Sequence, residues 1–161
     1  MSSEDVGTAS STEMTEVSTI DMGLEVVTVP VADVERAKRF YQSLGWRLDA
    51  DFAIGDDARL VQMTPPRSRC SIHFGKGVPG ITAMEPGSLQ RVYLTVKDID
   101  AAREDLISRG VDVSEVEERR PPGFDADARS YFEYASFRDP DGNGWLLQEI
   151  TTRLPGREWE D

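Results

Sequence analysis

Chemistry in this sequence has few candidate carriers. There is one histidine, His73, and one cysteine, Cys70. Glu149 closes the stretch DPDGNGWLLQE, a tight turn feeding a strand that ends on a carboxylate. A neutral imidazole at His73 can act as a general base, donate a hydrogen bond, or bind a metal beside Glu149. A lone histidine on a strand also serves as an ordinary satisfied polar side chain. Two such ligands fall short of the roughly three that a catalytic zinc site takes, and of the two imidazoles plus carboxylate of a non-haem iron site. A single cysteine allows neither an internal disulfide nor a zinc cage of cysteines, and Cys70, near a turn, reads as an inert thiol.

The elements that must position these residues are announced by a repeat. LEVVTVPVADVERAKRFYQSLGW holds a β-branched run, an aspartate able to cap a helix, a helical stretch and then Gly45; RVYLTVKDIDAAREDLISRGV holds the same parts in the same order. Asp33 and Asp98 are separated by 98 − 33 = 65 residues, and Gly45 and Gly110 by 110 − 45 = 65. Each aspartate can accept from the free N–H groups of a first helical turn. Val34, Ala37 and Leu44, and likewise Ile99, Ala102 and Leu106, fall on one apolar face. Each glycine follows its helix, where a left-handed residue is cheapest without a Cβ. Further on, VQMTPPRSRCSIHFG lies over ASFRDPDGNGWLLQE without a gap, at an offset of 149 − 75 = 74, so that His73 meets Leu147 and Gly75 meets Glu149. The difference of 74 − 65 = 9 residues falls in a longer connection around EERRPPGFDADARS. The expectation is α+β: two βαβββ modules forming a cupped mixed sheet around a central cavity. The boundaries read as a disordered acidic lead over 1–20, module one over 21–80, module two over 86–152 and a tail over 153–161.

A formal net charge of −12 and a pI near 4.5 repel nucleic acid and anionic membrane, so neither is expected as a partner. No apolar run reaches membrane length and the first twenty residues lack the order of a signal peptide, which makes a cytoplasmic location the expectation.

With VPVADVERAKRFYQSLGW opening one module and FRDPDGNGWLLQE closing the other, the chain resembles the vicinal oxygen chelate superfamily from about Met22 to Thr152. That group includes glyoxalase I, extradiol dioxygenases, fosfomycin resistance enzymes, methylmalonyl-CoA epimerase and bleomycin resistance proteins. The scaffold hosts isomerases, lyases, oxygenases and plain binders, so the fold alone selects none of them. The resemblance implies four metal positions, on the first and last strands of each module. They map here to Val26, Gly75, Arg91 and Glu149. Only Glu149 offers a metal donor, and Arg91 would repel a cation. The natural reading pairs Arg91 with Glu149 across the cavity. Alternatives are that Arg91 turns to solvent and leaves Glu149 for a substrate, or that the two form an ordinary structural ion pair. By strand alternation Thr28 and Tyr93 share a face with Val26 and Arg91, and Ser71 and Trp145 share one with His73 and Leu147. These nine residues form the expected ligand wall, though for Trp145 or Tyr93 alone barrel core is the better reading. Phe124, Tyr131, Phe132 and Tyr134, in or beside the longer connection, suit a lid, an edge packing or a dimer contact.

Two functions compete. One is a metal-free, cofactor-free binder of an organic ligand, aromatic or natural-product in character, as in the antibiotic-sequestering branch of the family. The other is an enzyme: either a lyase, isomerase or dioxygenase, or a metal-free tailoring enzyme using His73, Arg91 and Glu149 as catalytic groups. The family resemblance also implies a homodimer, through strand edges and helix faces.

Overall fold

A computed structural model describes residues 16–157. Residues 1–15 of the expected acidic lead and 158–161 of the expected tail lie outside the described residues. Module one runs β1 (Val26–Thr28), α1 (Val34–Ser43), β2 (Arg47–Ile54), β3 (Ala58–Thr64) and β4 (Ser71–Lys76). Module two runs β5 (Val92–Val96), α2 (Ile99–Ser108), β6 (Glu117–Glu118), β7 (Glu133–Arg138) and β8 (Gly144–Glu149).

Both helices start and stop where the repeat places them. Asp33 accepts from the Arg36 N–H and Asp98 from the Ala101 N–H, each at 3.0 Å. Gly45 and Gly110 follow at φ 83° and 86°, the left-handed region that lets the chain leave the helix without a Cβ clash. Val34, Ala37 and Tyr41 of α1, and Ile99 and Leu106 of α2, are buried. The apolar face of each helix is therefore packed inside the subunit.

The strands form two four-stranded mixed sheets, ordered β1-β4-β3-β2 and β5-β8-β7-β6. They do not close into one barrel. Each sheet has a face covered by its helix and a face left open. On the covered side Tyr41, Trp46, Phe74, Phe137 and Trp145 make one aromatic cluster drawn from both modules, with ring centroids 5.0–6.3 Å apart. The core that joins the modules thus lies on the helix side.

The second tie between modules is polar. Asn143 is fully buried in the DPDGN turn; its Nδ2 donates to the Pro30 carbonyl (2.8 Å) and to Asp139 Oδ2 (2.7 Å), while its Oδ1 accepts from the Leu89 N–H (3.1 Å). Tyr41 donates its hydroxyl proton to Asp139 at 2.8 Å and accepts from Trp145 Nε1 at 3.0 Å. Burial, reinforced by the Asp139 charge, pushes the Tyr41 phenol far above its usual range, so it stays a donor at any working pH. Arg36 on α1 completes the junction by pairing with Asp141 at 2.9 Å.

The gapless match of the two hairpins breaks at this turn. In module one Val61 pairs Phe74, and in module two Ala135 pairs Leu147. The strand before the turn keeps the offset 135 − 61 = 74, but the strand after it has 147 − 74 = 73. Six residues, 65–70, connect β3 to β4, whereas five, 139–143, connect β7 to β8. Because strand side chains alternate, one missing residue inverts the facing of all of β8 relative to the expectation.

Candidate functional site

The inversion redistributes the expected ligand wall. Parallel pairing sets Val26 beside Ser71 and Thr28 beside His73, all on the open face of the first sheet. There the Thr28 hydroxyl lies 2.7 Å from His73 Nε2. Burial holds the His73 imidazole below its ordinary pKa, so it is neutral near pH 7. Ser71 shares the face but is buried and bonded to the Thr64 hydroxyl at 2.7 Å, so it is already satisfied. Antiparallel pairing adds Gln62 beside His73, and Phe52 beside Leu60.

On the second sheet Tyr93 pairs Leu146 and Thr95 pairs Gln148, with Tyr134 and Ser136 next to them on β7. Arg91 and Tyr93 do lie together on this open face. The Arg91 Nη2 donates to the Tyr93 hydroxyl at 2.9 Å, and its guanidinium stands 6.0 Å from the ring centroid. Tyr134 packs edge-on to Tyr93 at 6.3 Å, and Arg119 lies over the Tyr134 ring at 5.9 Å. A hollow of about 140 Å³ opens beside them, lined by Arg91, Glu117, Arg119, Tyr134, Ser136 and Leu146 among others. Sequence reasoning missed Leu146 and Gln148 because it assigned β8 the opposite facing, and Ser136 because it drew the ligand wall only from the first and last strands of each module. It noted Tyr134 as part of a lid, an edge packing or a dimer contact.

Trp145, Leu147 and Glu149 belong to the covered side instead. Trp145 and Leu147 are core, and Glu149 is 4% exposed. Its Oε2 accepts the Ile99 N–H at 3.0 Å, and its Oε1 lies 3.5 Å from Arg129 Nε. The expected Arg91–Glu149 pair does not form: the two residues point to opposite faces of one sheet. Glu149 instead satisfies the first free N–H of α2, where a negative charge also meets the positive end of the helix dipole. Replacing it by alanine is expected to cost about 2 kcal/mol of stability, the range for a buried charged hydrogen bond. Binding on the open face would be unchanged. Urea denaturation beside a ligand titration checks this; lost binding with an unmoved midpoint would restore Glu149 to the site.

The longer connection reaches the second open face through Glu117 and Arg119, which line its hollow. β6 sits at the far edge of the second sheet, and Phe124 packs edge-on to Phe132 at 4.9 Å. Tyr131 is tied by its N–H to the Glu149 carbonyl at 2.8 Å. Cys70 is part-buried, and burial followed by the nearby Glu25 charge raises its thiol pKa, which keeps it protonated and unreactive.

The residues that replace the implied metal positions on the open faces are Val26, Gly75, Arg91 and Gln148. They do not fit a metal. Valine has no donor atom, Arg91 is a fixed cation, and the Gln148 amide already donates to the Tyr131 carbonyl and Tyr134 hydroxyl, both at 3.1 Å. At Gly75 a Cβ would overlap the Arg59 carbonyl oxygen, so no ligating side chain can stand there. Among the described residues no three of histidine, cysteine, aspartate and glutamate converge as a metal site. Arg91→His would not complete one, since Glu149 faces away.

Comparison with known proteins gives a consistent picture. Residues 23–147 match the model of the Glyoxalase/Bleomycin resistance protein/Dioxygenase superfamily. No curated protein matches the sequence. Among solved structures, the chain is similar to TnmS3, an antibiotic binding protein from Streptomyces sp. CB03234, at 31% identity and TM-score 0.62, covering 83% of this chain and 99% of that one. A glyoxalase/bleomycin resistance protein from the same Streptomyces is 33% identical with a TM-score of 0.60, covering 79% and 100%. A superfamily member from Sphaerobacter thermophilus DSM 20745 is 27% identical with a TM-score of 0.60, covering 80% and 98%.

Proposed function

Because the chain belongs to the Glyoxalase/Bleomycin resistance protein/Dioxygenase superfamily, and its open sheet faces carry aromatic and polar groups but no fitting set of metal donors, we propose that it is a metal-independent binder of an organic small molecule. The observation that carries this reading is the open face built from Arg91, Tyr93 and Tyr134, where a planar guanidinium and two rings offer flat surfaces and directed hydrogen bonds. Tyr93 is 45% exposed, which is more than a ring serving only the core would be. That one solved structure of similar sequence is an antibiotic binding protein supports an aromatic or natural-product ligand.

A homodimer follows from the same reading. Phe52 and Ile54 on the first open face are 60% and 63% exposed. One sheet supplies one wall, and a second copy would supply the other while covering these apolar side chains. Cytoplasmic sequestration is the setting this reading implies.

Tyr93→Ala is expected to weaken binding of an aromatic antibiotic at least tenfold in titration calorimetry, with the ligand recovered unchanged and with chelator leaving the melting temperature unmoved. Near-stoichiometric metal that leaves with chelator and takes stability with it would overturn the proposal. So would product formed on incubation, above all if His73→Gln abolished it, because the neutral His73–Thr28 pair is the remaining acid–base candidate.

A further inference from the structure

A second hollow lies at the seam between the modules, and Tyr93 of the Arg91 face lines one side of it. It has a volume of about 730 Å³ and wraps the edge strand β5 between the Pro65–Arg69 turn of module one and the segment that follows β8. Its rim carries Arg67, Arg69, Lys97, Arg153 and Arg157. The single carboxylate there, Asp98, is engaged by the Ala101 N–H of α2. Such a concentration of positive charge is unexpected in a chain of net charge −12. Carboxylates pair with many of the chain's arginines: Arg36 with Asp141, Arg59 with Asp51 and Glu35, Arg129 with Glu133. Among the described residues Arg67 and Arg157 form no ion pair.

Backbone conformation adds a second, independent sign. Arg67 has φ 61° in a turn closed by the Ser68 N–H donating to the Pro65 carbonyl at 3.0 Å. Glycine or asparagine is the inexpensive residue at such a place, and a larger side chain costs on the order of 1 kcal/mol or more. From that turn Arg67 lines the opening of the hollow.

Behind the charged rim the hollow continues into an apolar recess of about 220 Å³. The two share Pro65, Pro66, Leu94, Thr95, Val96 and Ala102, and the recess is floored by Trp46, Leu106 and Phe137. For scale, an apolar cavity of about 150 Å³ holds benzene. We infer that this seam is a binding site for an amphiphilic organic anion, with its carboxylate, sulfonate or phosphate at the arginine rim and a ring or short apolar body in the recess. The ligand of the proposed function occupies the open sheet face through Arg91, which does not line this hollow; Tyr93 alone of the Arg91–Tyr93–Tyr134 face borders both.

The test uses the full chain and two matched probes, 1-naphthoate and the neutral 1-naphthalenemethanol, titrated by calorimetry at low and high salt. Wild-type protein is expected to bind naphthoate with an affinity that falls as salt rises, and to bind the alcohol at least tenfold more weakly. Arg67→Gln with Arg157→Gln should weaken naphthoate about tenfold while leaving the alcohol and the circular dichroism spectrum unchanged. Arg91→Ala should leave naphthoate binding unchanged. The inference is overturned if naphthoate fails to bind, if the double variant binds it as wild type does, or if Arg91→Ala abolishes it as effectively. Failure of the antibiotic titration with Tyr93→Ala would instead count against the proposed function alone.

Discussion

Gly75→Glu, which writes a metal-ligating carboxylate into the vacant position of module one, is expected to cripple folding and to bind no metal. Leu60 of β3 pairs directly with Gly75. A Cβ at 75 would overlap the Arg59 carbonyl oxygen. That oxygen is a backbone atom of a central strand of the sheet, so it cannot move aside by changing rotamer. Overpacking in a well-packed interior costs about 1–3 kcal/mol, and occasionally more, when side chains can yield; here about 3 kcal/mol or more is expected. For a chain of this size that corresponds to a fall of roughly 6–12 °C in melting temperature. Thermal denaturation of wild type and variant, each with and without zinc, measures both parts. A variant that melts with the wild type and gains stability on adding zinc would show that the position is open to a ligand after all.

Asn143→Leu should have an effect of similar size for the opposite reason, a buried polar group left without its partner. The substitution keeps the volume but strips the Leu89 N–H, the Pro30 carbonyl and Asp139 of their hydrogen bonds to the side chain. Each unsatisfied buried group costs about 1–3 kcal/mol, so the sum approaches 4 kcal/mol even with partial relaxation. Pro30 lies in module one and Leu89 leads into β5, so the loss falls on the joint between modules. The expected result is a lower urea midpoint and a broader transition, as the two halves lose their coupling. Gln62→Ala, on the open face, should change stability by no more than about 0.5 kcal/mol. If Asn143→Leu matched that control, the stitching role assigned to the DPDGN turn would be wrong.

These two positions explain how the scaffold separates stability from recognition. Aromatic packing and the Asn143–Asp139–Tyr41 network lie on the covered side, so residues of the open faces are free of that duty. The same division accounts for Glu149: it ends the last strand, as a metal ligand of the family would, yet it holds the first turn of α2.

Local signals determined a good deal of this. Asp33, Asp98, Gly45 and Gly110 announced both helices, since a cap and a left-handed glycine act within a few residues of the chain. The spacing of 65 residues between the helix-capping aspartates holds through the first strands, where Val27 pairs Ile72 as Val92 pairs Trp145. Arg91 and Tyr93 stand on the open face of the second sheet as Val26 and Thr28 stand on that of the first. The facing of β8 was not legible. In GWLLQE apolar residues stand at both parities, so neither facing conflicts with the pattern. The decision came from a turn of five residues in place of six, fixed by Asp139 accepting from the Asp141 and Asn143 N–H groups at 3.0 and 2.9 Å. A helix shifted by one residue only rotates by about 100°, but a strand has a period of two and turns over completely. That is why the tertiary structure alone moved Trp145, Leu147 and Glu149 into the interior and brought Leu146 and Gln148 to the face where a ligand would meet them.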